Sequence, residues 1–226
     1  MTKAIFSDQV ILVTGAANGL GAAVAKAYAS SDATVVLLDK DVAGLEATYD
    51  TITAHYVKPA IYPLDLKGAS VSDYADLAST LETHFGRLDG LVHCAATLGQ
   101  LGPVEHQDPQ SWAETLHINL TAPFLLTRAC LPLMKQQTSS TIIFTTDEYK
   151  DIAYWAGYGI SKAGIETLAK QLQDELEHEG RVHIYCIEPG QFQSQLHYHA
   201  FPGLNPSDFP LPDDVTGPYL TLMQSS

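Results

Sequence analysis

A tyrosine and a lysine at a spacing of four, Tyr158 and Lys162, lie at the start of the segment GYGISKAGIETLAKQLQDELE. Residues i and i+4 project from one face of a helix, so the two side chains should lie side by side. At about 4 to 5 Å and an effective dielectric of about 20, an ammonium attracts a phenolate by about 4 kcal/mol. That attraction lowers the pKa of the tyrosine by at most about three units, so Tyr158 could exchange a proton at physiological pH.

A glycine-rich turn near the start of the chain predicts a nucleotide site. The stretch ILVTGAANGLGAAVAKAYA contains a buried strand, a turn with Gly15, Gly19 and Gly21, and an Ala-rich helix. Free N–H groups and the dipole at a helix N-terminus favour a pyrophosphate, and glycine lets the phosphates approach the backbone. The pattern TGxxxGxG in this context therefore indicates dinucleotide binding.

Two carboxylates follow the next two strand-like runs. Asp39 ends TVVLLD, where it could accept both ribose hydroxyls of NAD and would repel the 2′-phosphate of NADP. Lys40 argues for NADP, because a cation there could hold that phosphate, so we expect NAD with NADP as the lesser alternative. Asp65, in PLDL, could accept the adenine amino group or could close a turn at the strand end.

The elements that must position these residues alternate along the whole chain. Strand-like runs QVILVTG, ATVVLLD, AIYPLDL, LDGLVHCAA, TIIFTT and RVHIYCIEPG are separated by helix-length amphipathic segments. This alternation predicts βαβ units and a doubly wound α/β fold with a parallel sheet covered on both faces. We expect residues 1–226 to form a single dinucleotide-binding domain, with a Pro-rich substrate lid at about residues 191–214.

Composition excludes several classes of partner. Lys and Arg number 12 against 26 Asp and Glu, for a formal charge of −14, which disfavours nucleic acid and anionic membranes. With no signal-peptide pattern and no apolar run of about 20 residues, we expect a cytoplasmic protein. Cys94, Cys130 and Cys186 are widely spaced in apolar sequence, which predicts reduced core thiols. We expect no metal site, since His197 and His199 lack further ligands at a sensible spacing.

The YxxxK pair, taken with TGxxxGxG, LDGLVHCAA, INLTAPF and IEPG, resembles the short-chain dehydrogenase/reductase superfamily over essentially the whole chain. It looks closest to a bacterial branch of oxidoreductases of unsettled substrate. The resemblance implies strand order 3-2-1-4-5-6 without the usual seventh strand, and hydride transfer between a nicotinamide and a small carbonyl or secondary alcohol. It also implies a homo-oligomer, a dimer or tetramer, paired through helices at about 108–135 and 156–179.

The resemblance also assigns roles to residues. It implies that Tyr158 is the acid/base, that Lys162 supports it and binds the nicotinamide ribose, and that Asn119 holds a water on the proton relay. The cofactor contacts it implies are Gly15, Asn18, Gly19, Leu20, Gly21, Asp39, Asp65, Leu66, Ala95, Lys162, Pro189, Gly190 and Ser194.

The catalytic serine of the family has no evident counterpart. Counting forward from TIIFTT puts its place at Asp147, and counting back from Tyr158 puts it at Thr145. Side chains alternate along a strand, so these two residues should share a face. Thr145 could donate to a carbonyl as serine does, whereas an ionised Asp147 only accepts, repels an alkoxide and raises the pKa of Tyr158. We therefore expect an NAD(H)-dependent oxidoreductase with a detuned site, the alternative being a nucleotide-binding sensor or scaffold with little catalysis.

Overall fold

The protein is described by a computed structural model that covers residues 5–224. Its strands are β1 (Val10–Thr14), β2 (Thr34–Asp39), β3 (Ala60–Pro63), β4 (Gly90–His93), β5 (Ser140–Thr145) and β6 (Val182–Ile187). They form one six-stranded sheet in the order β3-β2-β1-β4-β5-β6, and every neighbouring pair is parallel. The predicted strand number and order are confirmed for the described part of the chain.

Helices connect the strands as crossovers. They are α1 (Gly19–Ala29), α2 (Val42–Thr53), α3 (Val71–Phe85), α4 (Pro109–Leu116), α5 (Ala122–Met134) and α6 (Ala156–Leu176). The helices α7 (Gln195–Ala200) and α8 (Gly217–Gln224) follow β6. A π-helical turn, His117–Thr121, joins α4 directly to α5. The helices expected at about 108–135 and 156–179 therefore correspond to α4 with α5 and to α6. None of the helices within residues 5–224 is both long and apolar enough to span a membrane.

The core lies on both faces of the sheet. One cluster includes Leu77 of α3, Leu126 of α5 and Ile165 of α6, and the other includes Val24 of α1 and Tyr219 of α8. All residues of β1, β4 and β5 are buried, as parallel strands covered on two faces must be, which explains their continuous apolar runs.

The order in which the chain adds strands to the sheet reverses between β1 and β4. From this pair the chain builds outward to β2 on one side and to β5 on the other. Thr14, at the end of β1, accepts hydrogen bonds through Oγ1 from the backbone N–H groups of Cys94 and Ala95, both at 3.1 Å. These bonds fix the loop after β4 beside the end of β1. Doubly wound sheets bind their ligands in the crevice at this point.

The three cysteines are free, as expected, but only one is a core residue. Cys130 is fully buried and Cys94 is partly buried, whereas Cys186 is exposed. Cys186 lies in β6, which pairs only with β5 among the described strands. The prediction of three core thiols is therefore wrong for Cys186, because an apolar stretch does not reveal that its strand lies at the edge.

Candidate active site

A cavity of about 740 Å³ opens at the carboxyl ends of the strands. The predicted site residues on its wall are Gly15, Asn18, Gly19, Leu20, Gly21, Asp39, Asp65, Leu66, Ala95, Thr145, Asp147, Tyr158, Lys162, Pro189, Gly190 and Ser194. Asn119 does not line it. One cavity thus joins the glycine turn to the tyrosine and lysine pair, although these are far apart in the sequence.

The glycine turn leaves no room for a side chain at Gly15 or Gly21. Gly15 has a φ of 70° and Gly19 a φ of 54°, a left-handed conformation that favours glycine. A Cβ on Gly21 would lie 2.2 Å from the carbonyl oxygen of Gly15, and a Cβ on Gly15 would lie 2.9 Å from Cα of Ala95. The turn at the N-terminus of α1 is therefore a cradle that fits a pyrophosphate, with the backbone as its surface.

The two carboxylates of the nucleotide end each close a local turn. Asp39 accepts from the N–H of Ala17 at 3.3 Å and from the N–H of Asp41 at 3.1 Å. Asp65 accepts from the N–H of Lys67 at 3.1 Å. Both also lie on the cavity wall, so the turn and the ligand roles considered for Asp65 are compatible.

Tyr158 and Lys162 lie together in the first turns of α6, and both are buried. The Nζ of Lys162 lies 5.5 Å from the centroid of the Tyr158 ring and donates to the carbonyl oxygen of Thr145 at 2.9 Å. Burial lowers the pKa of Lys162. Burial also raises the pKa of Tyr158, and Asp147 raises it further by its charge and its hydrogen bond. The prediction that Lys162 lowers the pKa of Tyr158 is therefore wrong, because desolvation and Asp147 dominate.

Asp147 faces the hydroxyl of Tyr158. The hydroxyl of Tyr158 donates to Oδ2 of Asp147 at 2.5 Å, and Oδ1 of Asp147 accepts from the N–H of Tyr149 at 3.2 Å. Asp147 is the N-cap of a short 3₁₀ turn, Glu148–Asp151, which holds its carboxylate in place. An acceptor therefore lies where the family resemblance implies a hydroxyl.

The hydroxyl of Thr145 lies elsewhere. Its Oγ1 is 2.9 Å from the hydroxyl of Tyr219 and donates to the sulfur of Cys94 at 3.7 Å. Thr146 donates to Glu166 at 2.9 Å. The Thr145 hydroxyl is therefore bonded away from Tyr158, while the backbone carbonyl of Thr145 holds Lys162. The role of Thr145 as a catalytic donor stays a prediction. Thr145 and Asp147 both line the cavity, as alternation predicts, but their side-chain oxygens bond different partners.

Asn119 is buried in the π turn between α4 and α5. Its side chain accepts from the N–H of Thr97 and donates to the carbonyl of Thr97, both at 2.8 Å. It also donates to Oγ of Ser161 at 3.1 Å. The side chain thus ties the loop after β4 to the residue before Lys162, and the relay role implied for Asn119 stays a prediction.

Comparison with known proteins identifies the family. Residues 9–203 match the model of the short chain dehydrogenase family. The chain belongs to that family. The Escherichia coli K12 oxidoreductase YciK, itself uncharacterized, is 33% identical over 97% of this chain and 87% of its own length. A short-chain dehydrogenase structure from Pseudomonas syringae is 40% identical, with a TM-score of 0.94 over 97% of this chain and 90% of that one. A structure from Shigella flexneri 2a complexed with NADP is 33% identical, with a TM-score of 0.95 over 98% and 93%.

In this short-chain dehydrogenase, aromatic side chains close the cavity on the side of α7. Tyr149 stacks on Trp155 with ring centroids 3.9 Å apart, and Phe201 lies 5.6 Å and 5.8 Å from those two rings. All three line the cavity. Sequence reasoning missed Tyr149 and Trp155, and their only signal was an aromatic-rich stretch just before Tyr158.

Two further observations concern the expected role of Ser194 and the expected lack of a metal site. Ser194 lines the cavity, but its Oγ caps α7 by accepting from the N–H of His197 at 3.0 Å. Within residues 5–224, no group of three or more His, Cys, Asp or Glu side chains is close enough together to hold a metal ion.

Proposed function

We propose that this short-chain dehydrogenase transfers hydride between a nicotinamide dinucleotide and a small carbonyl or secondary alcohol. The observation that carries the proposal is the single cavity that contains both the glycine cradle and the Tyr158–Lys162 pair. The bound dinucleotide would supply the hydride acceptor or donor. The backbone of the cradle would bind its phosphates, and Tyr158 would give a proton to, or take one from, the substrate oxygen.

The test is turnover with and without the tyrosine hydroxyl. We expect wild type to convert members of a carbonyl and alcohol panel, and Tyr158→Phe to lose about 10²-fold or more in kcat while it binds the cofactor normally. The matched control is Tyr154→Phe, which changes an exposed tyrosine near the start of α6. If wild type binds the cofactor but converts nothing, and Tyr158→Phe is indistinguishable from it, the protein is a nucleotide sensor or scaffold.

For the cofactor we propose NAD rather than NADP. Asp39 carries this choice, because its carboxylate lies on the cavity wall at the end of β2 and would repel a 2′-phosphate. The NADP in the Shigella relative and the nearby Lys40 favour the opposite choice. We expect NADH to bind more tightly than NADPH in calorimetric titrations, and Asp39→Asn to reduce the difference about tenfold or more. Tighter NADPH binding that Lys40→Gln abolishes would assign NADP instead.

We also propose that residues 191–214 form a substrate lid. Separately, we propose that the protein forms a homodimer through α5 and α6. An apolar groove of about 480 Å³ between the two helices is lined by Phe124, Leu131, Leu168 and Leu172, and Phe124 is 45% exposed. We expect a dimer by light scattering and a monomer for Phe124→Glu. The control is Val104→Glu, since Val104 is 75% exposed outside this groove. A monomeric wild type at micromolar concentration would contradict the dimer.

A further inference from the structure

Asp147 is the feature of this active site that a general carbonyl reductase does not need. A serine hydroxyl can donate a hydrogen bond to a ketone oxygen, whereas a carboxylate can only accept. We propose that Asp147 binds a second hydroxyl of the substrate, so that the substrate is a vicinal diol or the matching α-hydroxy ketone. This inference rests on the proposed function and names the substrate class of the same site.

The spacing of the two groups supports this assignment. The Oη of Tyr158 and Oδ2 of Asp147 lie 2.5 Å apart on one cavity wall. In the gauche rotamer of a 1,2-diol the two oxygens lie about 3 Å apart. One substrate could therefore bond both groups, with the reacting oxygen at Tyr158 and the neighbouring hydroxyl at Asp147.

Asp147 has the capacity to accept that bond. An ionised carboxylate offers about four lone-pair sites. Tyr158 and the N–H of Tyr149 occupy one site each, and no other hydrogen bond to this carboxylate occurs among the described residues. The hydroxyl that binds Asp147 can therefore do so without displacing Tyr158 or Tyr149, and only a reacting carbonyl oxygen competes for the Tyr158 proton.

The surrounding charges favour a neutral polyhydroxy substrate. Glu148 and Glu188 also line this part of the cavity, so a hydroxy acid would meet carboxylates of its own charge. The nearby cation Lys150 is paired with Glu166 at 2.7 Å and lies 4.0 Å from Glu188. A substrate ammonium would be attracted by the carboxylates but repelled by buried Lys162, which lies beside the Tyr158 ring. A hydroxyl satisfies Asp147 without either cost.

The experiment compares matched substrates that differ by one hydroxyl. We would measure kcat/KM for 2,3-butanediol and 2-butanol with oxidised cofactor, and for acetoin and 2-butanone with reduced cofactor. We expect wild type to prefer the hydroxylated member by about 10- to 100-fold, and Asp147→Ala, which removes the acceptor, to bring the ratio close to one. Asp151→Asn, an exposed acid of the same 3₁₀ turn, should leave the ratio unchanged.

The outcomes separate this inference from the proposed function. Turnover with equal kcat/KM for both members of a pair overturns the inference, whereas the proposal of an oxidoreductase stands. A preference for 3-amino-2-butanol over 2,3-butanediol overturns the assignment of a hydroxyl. If the protein converts none of these substrates, a calorimetric titration of 2,3-butanediol into the complex of the protein with its cofactor decides. Binding that Asp147→Ala abolishes supports the inference while the proposed function fails, and absence of such binding overturns the inference as well.

Discussion

Replacing Asp147 with serine should turn the site toward simple ketones. In the wild type the single proton of the Tyr158 hydroxyl is donated to Asp147 at 2.5 Å, so a ketone must compete with a carboxylate for it. Asp147→Ser removes that competitor and adds a hydroxyl that can donate to the developing alkoxide. We expect kcat/KM for 2-butanone reduction to rise while the preference for acetoin falls.

The magnitude follows from two contributions. A hydrogen bond to a charged group contributes about 1.5–3 kcal/mol, so breaking the Tyr158–Asp147 bond slows wild-type reduction by about 10- to 150-fold. One preorganised donor to an oxyanion contributes about 10²- to 10³-fold. Both contributions act on the same substrate oxygen and will not simply add, so we expect a gain of about 10²- to 10³-fold.

Steady-state kinetics with 2-butanone can separate these contributions. Asp147→Ala removes the competing acceptor without adding a donor, so its gain should stay within about 10- to 150-fold. When Tyr158→Phe is added to either Asp147 variant, the gain in 2-butanone reduction should be lost entirely. Because Asp147 raises the pKa of Tyr158, the limb of the pH profile that reports this tyrosine should move to lower pH in Asp147→Ser. A serine variant no faster than wild type would refute the reasoning.

Two other predictions concern the cradle and the core. Gly21→Ala should abolish cofactor binding, because its Cβ would lie 2.2 Å from the carbonyl oxygen of Gly15, whereas Gly68→Ala has no atom within 4 Å and should bind normally in the same titration. Burial lowers the pKa of His93 from 6.5 to about 3, so neutral His93 contributes stability above pH 6.5 that is lost as the pH falls toward 3. From pH 6.5 to 5 the loss is about 2 kcal/mol, and His93→Gln, which can keep the bond to Thr127, should show a correspondingly smaller drop in urea unfolding. Parallel pH curves for the two proteins would contradict the second prediction.

The sheet could be predicted because its causes are local. Parallel strands buried on both faces must be apolar along their length, which β1, β4 and β5 satisfy. The alternation of strand-like and helix-length runs predicted the remaining strands. The glycine turn and the Tyr158–Lys162 pair were predictable for the same reason, since each depends on spacing within one turn or one helix. The cavity that joins them follows from the parallel topology, which brings the carboxyl ends of the strands to one edge.

The residue that faces the Tyr158 hydroxyl could not be predicted, because it depends on contacts between distant parts of the chain. Alternation places Thr145 and Asp147 on one face of an extended chain, but it does not show which of the two side chains reaches Tyr158. The partner of the Thr145 hydroxyl is Tyr219, which lies 74 residues away. The raised pKa of Tyr158 likewise depends first on burial, which spacing along a helix does not reveal.

The end of β5 shows how the substrate side of this site could change without loss of the lysine. Lys162 is held by the main-chain carbonyl of Thr145, and any residue at that position supplies the same carbonyl. The group that faces Tyr158 is by contrast a side chain, that of Asp147, set by the 3₁₀ turn that follows. With serine at position 147 the site can donate a hydrogen bond to a substrate acceptor, whereas with aspartate it accepts one from a substrate donor. In both cases the position of Lys162 is preserved. For this reason an intact tyrosine and lysine pair and an altered donor position are compatible in one working site.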